Sequence, residues 1–131
     1  MAKRKNKLRL GLFIAPFHAP NEDPTLALER DLELTRFADE LGLAEVWFGE
    51  HHSGGYEIVM SPELMIAAAA QRTSRIMLGT GVITLPYHNP LWVADRLAML
   101  DHLTRGRVML GLGPGALATD AGMLGIHPSE Q

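Results

Sequence analysis

Short apolar runs alternate along the chain with longer stretches whose apolar residues recur at helical spacing. That alternation predicts βα units built around a parallel sheet. The first run, Leu8 to Ile14, reads as a strand halted by Pro16. Pro24 then opens a helix in which Leu34, Phe37, Ala38 and Leu41 fall at i, i+3, i+4 and i+7, the spacing of an inward face. Gly42 stands where a left-handed C-terminal cap is expected. A second strand, Ala44 to Gly49, runs into Glu50-His51-His52 and a loop with Gly54 and Gly55.

Ser61-Pro62-Glu63 combines a hydroxyl N-cap, proline at the first helical position and an acid near the positive end of the helix dipole. The alanines from Ala67 to Ala70 sustain that helix. The third strand is expected from Ile76 to Ile83. Asn89-Pro90 starts a further helix reaching about Leu103, with Gly106 just beyond. The fourth strand, Arg107 to Leu112, ends in Gly113-Pro114-Gly115, and from Ala116 onward no period is evident.

The block from Ser74 to Gly81 echoes the block from Gly106 to Gly113, 32 residues later, a fitting length for one βα unit. Four such units in 131 residues extrapolate to the about 250 residues of a complete (β/α)₈ barrel. The expected fold is therefore α/β, the N-terminal half of such a barrel, preceded by a basic, frayed tail over residues 1–7. A half barrel has two unpaired sheet edges, which proteins normally cover or close. The expectation is an interrupted chain, with self-association through the open edges, as a homodimer, as the alternative.

Composition narrows the chemistry mainly by exclusion. The net charge of -3 gives no electrostatic reason to expect nucleic acid. Lys3, Arg4, Lys5 and Lys7 are followed by an apolar run that Arg9 interrupts, with no small-residue cleavage site, so a secretory leader is not expected. No apolar run approaches the roughly 18 residues of a membrane span. These readings fit a cytoplasmic protein. Cysteine is absent, which removes disulfides, thiolate metal sites and a thiol nucleophile.

In a barrel the active site lies at the C-terminal ends of the strands. Three of the four segments there carry histidine: His18, His51-His52 and His88. Adjacent strand residues point to opposite faces, so if His51 faces the barrel mouth, Glu50 and His52 point toward the helices. His51 and His52 then cannot share a metal, and no metal-binding spacing occurs, so no metal is expected. An imidazole at the mouth suits general acid–base work. Simple hydrogen bonding to helix ends and loop carbonyls explains the pair equally well. His18 and His88 sit in proline-containing loops, where an exposed histidine is unremarkable. The Gly79-Thr80-Gly81 and Gly111 to Gly115 segments complete no phosphate-loop pattern. Their glycines either let a flat ligand approach the backbone or relieve crowding inside a small barrel.

Leu8 to Pro16, Trp47 to His52, Gly79 to Pro86 and Leu103 to Arg107 together resemble the bacterial-luciferase-like flavin-dependent monooxygenases. Within that family the limonene-monooxygenase and alkanal-monooxygenase-like branches are the most similar. The resemblance covers nearly everything after the basic tail. It implies a barrel that binds reduced FMN supplied by a separate flavin reductase and uses O2 to oxidise a small, apolar organic substrate. It implies that His51 lies beside the flavin and takes part in proton transfer. It also implies that Gly81, Val82 and Ile83, and Gly113 on the next strand end, border the cofactor, with a cis bond at Gly81-Val82. In the luciferase a cysteine and a phosphate-contacting arginine occupy the fourth strand end. Gly113 and Pro114 stand there in this chain, so that contact does not carry over. An oxidoreductase using the deazaflavin F420 on the same fold is the alternative, and the Glu50-His51-His52 segment favours the monooxygenases. Phe13, Phe17, Trp47, Tyr56 and Tyr87 are candidates to line an apolar pocket, though core packing explains most of them equally well.

Overall fold

A computed structural model describes residues 8–127 and Ser129, so the basic segment 1–7 lies outside the described residues. Four strands alternate with four α-helices: β1 (Gly11–Ile14), α1 (Pro24–Glu40), β2 (Glu45–Phe48), α2 (Pro62–Ala70), β3 (Met77–Thr84), α3 (Pro90–Thr104), β4 (Val108–Gly113) and α4 (Ala118–Met123). A single 3₁₀ turn, Leu85–Tyr87, links β3 to α3. The strands pair in parallel in the order β1-β2-β3-β4. Sequential neighbours joined by helical crossovers give this order, as expected for the beginning of a barrel wall.

Alternation along each strand decides what is buried. Ile14, Val46, Phe48 and Leu78 face the helices and form the core with Ile66, Ala69, Ile76 and Leu100. Truncating a fully enclosed side chain such as Phe48 would cost about 3–5 kcal/mol. Phe13 and Trp47 alternate with these residues and so lie on the opposite face of the sheet, where Phe13 is exposed.

The helix starts follow local chemistry. Asp23 accepts hydrogen bonds from the Thr25 and Leu26 amides ahead of α1, and Asn89 accepts one from Leu91 ahead of α3. At α2 proline stands at the first position as anticipated, but Ser61 caps no amide. Its hydroxyl donates instead to Glu63 Oε2 at 2.9 Å. Gly42 adopts φ +78° just after α1, the left-handed conformation its position requires.

Two expectations need correction. β1 begins at Gly11 rather than Leu8: its register with β2 runs from Gly11 opposite Glu45, and Leu8 and Leu10 stay exposed. Of the predicted inward face of α1, Ala38 is buried, but Leu34, Phe37 and Leu41 are exposed. Ala27, Asp31, Leu32, Thr35 and Asp39 are buried with Ala38. Small side chains bring the helix axis close to its neighbours, and the polar ones have partners: Thr35 donates to the Asp31 carbonyl, and Asp39 accepts from the Ser74, Arg75 and Ile76 amides. Among the described residues no helix is long and apolar enough to cross a membrane.

Candidate active site

The C-terminal strand ends converge on a groove of about 510 Å³. Its walls include Phe13, Phe17, Val82 and Leu112, with His51 at one side and the glycines Gly81 and Gly113 in its floor. Four of the five residues singled out in the sequence meet there: His51, Gly81, Val82 and Gly113. The fifth, Ile83, is fully buried and does not reach the groove. The Gly81-Val82 bond is cis, and the pairing of β3 with β4 is irregular between Thr80 and Ile83. Deeper in the sheet the glycines answer crowding. A Cβ on Gly79 would lie 2.3 Å from the Trp47 indole, so this glycine makes room for the ring rather than for a ligand.

Glu50 and the three histidines near it divide as strand alternation dictates. The Glu50 side chain is fully enclosed, and its Oε2 accepts the Thr84 amide at 2.7 Å. Its Oε1 is shared by Nε2 of His52 at 2.9 Å and Nε2 of His88 at 2.6 Å. This carboxylate ties the end of β2 to the end of β3. His88 is therefore not an exposed loop histidine, because Glu50 draws it inward. His18 departs from expectation for the same reason. It is buried, with Nδ1 2.8 Å from the Pro16 carbonyl and Nε2 2.8 Å from Asp31 Oδ2.

His51 points the other way, partly exposed, and its Nδ1 lies 3.0 Å from Oδ2 of Asp120. Asp120 also accepts the His52 amide through Oδ1 at 3.2 Å. Burial works to raise the Asp120 carboxyl, but hydrogen bonds from Ser53, His51 and the His52 amide outweigh it and hold the group below its ordinary value. An ionised Asp120 accepts the proton on Nδ1, which orients the ring and leaves Nε2 outside this bond. The Phe17 ring lies 6.1 Å from the imidazole and stacks on Tyr56 at 5.9 Å. An isolated antiparallel bridge between Phe17 and Glu57 joins the loops after β1 and β2.

Asp120 was not legible from the sequence. It sits on α4, a six-residue helix too short to show a period. The one local signal is an acid in the first turn of a helix following Gly113-Pro114-Gly115.

A parallel sheet wound with helices, carrying an oriented histidine and an apolar groove at its strand ends, has the layout of a barrel enzyme's catalytic face. The chain belongs to the luciferase-like monooxygenase family, whose match spans residues 8–131. It is 60% identical to limonene 1,2-monooxygenase of Rhodococcus erythropolis over 95% of this chain and 32% of that protein. The oxygenating constituent of 3,6-diketocamphane monooxygenase from Pseudomonas putida, a type II Baeyer–Villiger monooxygenase solved with FMN, superposes with a TM-score of 0.89. Identity to it is 30%, covering 95% of this chain and 34% of that one. The coenzyme F420 dependent tetrahydromethanopterin reductase of Methanopyrus kandleri is more distant, with a TM-score of 0.71 and 25% identity over 91% of this chain and 30% of that one. The chain thus spans about a third of the length of these relatives and matches their N-terminal part.

Proposed function

We propose that this chain supplies the first half of the active site of a monooxygenase that uses reduced FMN and O2 to oxidise a small, apolar organic molecule. The observation that carries this reading is the His51–Asp120 pair at the edge of an apolar groove floored by glycine. The groove suits a flat aromatic ring. Phe13 and Phe17 offer apolar walls, and a Cβ on Gly113 would lie 2.8 Å from Val82 Cγ2, so that position is closed to any side chain.

Reduced FMN, when bound, supplies two electrons so that one oxygen atom of O2 enters the substrate and the other leaves as water. This chain's own residues would border the ring with Gly81, Val82 and Gly113 and keep water away with Phe13 and Phe17. His51, held through Nδ1 by Asp120, would carry a proton at Nε2. Glu50 would fix the two strand ends against each other so that His51 and the Gly81-Val82 segment keep their spacing. The family relationship and the FMN-bound relative support flavin over F420, whose enzyme is the more distant neighbour. That relative is called an oxygenating constituent, which supports a separate flavin reductase as partner here too.

The test is oxygen consumption by the intact protein given reduced FMN and a panel of terpenes and cyclic ketones. Substrate-dependent uptake that His51→Ala lowers by about 100-fold or more would uphold the reading. Equal turnover by His51→Ala would remove His51 from the chemistry, and tighter binding of F420 than of FMN would overturn the cofactor.

A further inference from the structure

His51 and Phe17 border not only the groove but also a second cavity of about 420 Å³, in which Glu57 takes part. Among the described buried acids, Glu57 is the one in the lining of this cavity. Asp31 is bonded to His18, Asp39 to the Ser74, Arg75 and Ile76 amides, and Glu50 to Thr84, His52 and His88. Glu63 Oε2 accepts from Ser61 while its Oε1 has no hydrogen bond and lies 3.5 Å from Arg96 Nη2, and Asp120 accepts from His51 and the His52 amide. Glu57 is 7% exposed, and no described residue donates a hydrogen bond to its carboxylate. Its carboxylate opens on the cavity, where a ligand can meet it. One oxygen of Glu57, one of Asp120 and one ring nitrogen of His51 all lie within 4.8 Å of one another.

We propose that His51, Glu57 and Asp120 form a binding site for a first-row divalent cation of the Zn2+ kind. Two carboxylates and a neutral imidazole bring a charge of minus two, which a dication balances. The mixed nitrogen and oxygen set suits a borderline ion such as Zn2+ or Co2+. Tetrahedral ligands at about 2.1 Å from such an ion stand roughly 3.4 Å apart, so atoms within 4.8 Å of one another must draw together by up to about 1.4 Å to close the set. With three protein ligands, the remaining coordination faces the cavity, as in zinc sites that keep an open position. Coordination through Nδ1 moves the ring proton to Nε2 and ends the hydrogen bond to Asp120, so the cation-bound and proton-carrying states of His51 exclude each other. The site itself does not rest on the flavin reading.

The experiment titrates tag-free, metal-stripped intact protein with Co2+ by visible absorption and with Zn2+ by calorimetry. One equivalent is expected to bind, with Co2+ giving the intense bands of four- or five-coordination. Glu57→Gln and His51→Gln should each weaken binding by ten-fold or more, while Glu63→Gln, a buried acid elsewhere, should leave it unchanged. Glu57→Gln removes a carboxylate that faces the cavity and should melt no lower than the parent; if it does not fold, His51→Gln decides. Absence of binding up to millimolar metal, or equal binding by the Glu57 and His51 variants, overturns the proposal. Reduced FMN titrated into the same samples separates the two readings. Cation binding without flavin binding sinks only the monooxygenase, and the reverse sinks only the cation site.

Discussion

His51 and Asp120 lie 69 positions apart in the chain, yet Nδ1 of one is 3.0 Å from Oδ2 of the other. Asp120 meets the His51 ring through Oδ2 and the His52 amide through Oδ1. An asparagine has only one oxygen to offer, so Asp120→Asn forfeits one bond or turns the imidazole into its other tautomer. The oxidation rate should fall by about 10- to 100-fold while reduced FMN binds within about two-fold of the parent. Stopped-flow turnover beside a flavin titration checks this, and an equal loss in both would reassign Asp120 to the fold.

Asp39 predicts a pH dependence of stability. Burial works to raise its carboxyl, but the amides of Ser74, Ile76 and Arg75 more than offset this and hold it below its ordinary value. A group depressed in the folded state stabilises above its unfolded value of about 3.9, and that contribution fades as the pH falls through the lower folded value. The gap in unfolding free energy between parent and Asp39→Asn should therefore hold steady above about pH 5 and shrink below about pH 4. Urea melts across that range measure it. A gap that widens in acid would contradict the assignment.

The contact of Trp47 with Gly79 predicts a coupled pair. Gly79→Ala drives a Cβ into the indole and should destabilise by about 1–3 kcal/mol. Trp47→Leu empties part of that space, so the double variant should recover part of the loss, and the two changes should not add. Thermal unfolding of the four proteins closes the cycle.

Phe13 separates ligand binding from folding. Its ring is exposed at the groove, so Phe13→Ala should leave the melting temperature within a few degrees. Losing one aromatic wall is worth about 1–1.5 kcal/mol, which weakens flavin binding about ten-fold. Fluorescence titration with FMN gives the answer directly.

The strands and helix starts were readable because their signals are local: short apolar runs such as Val46 to Phe48, and proline after a cap at Asn89. The inward face of α1 was legible at Ala38 alone, because leucine and phenylalanine dominate a hydrophobic pattern, whereas Ala27, Asp31, Leu32, Thr35 and Asp39 are the positions buried beside it. His51 stood out through its neighbours Glu50 and His52. Asp120 and Glu57 did not, since each gains its meaning from partners far away in sequence and each is a lone acid in a stretch without periodicity. His18 and His88 read as loop residues for the same reason: the carboxylates that draw them inward, Asp31 and Glu50, lie 13 and 38 positions away.

The Phe17–Glu57 bridge has a bearing on how such a protein can diversify. The amides of His18 and Ile58 bond across to the carbonyls of Tyr56 and Pro16, so the loops after β1 and β2 behave as one ribbon. Lengthening either loop within the paired stretch would break its register with the other. Insertions that remodel the groove's rim without that penalty are confined to the hairpin tip at Gly54 and Gly55, where both residues already adopt positive φ. Relatives that accept bulkier molecules should therefore differ in length at that tip and keep the paired segments in step.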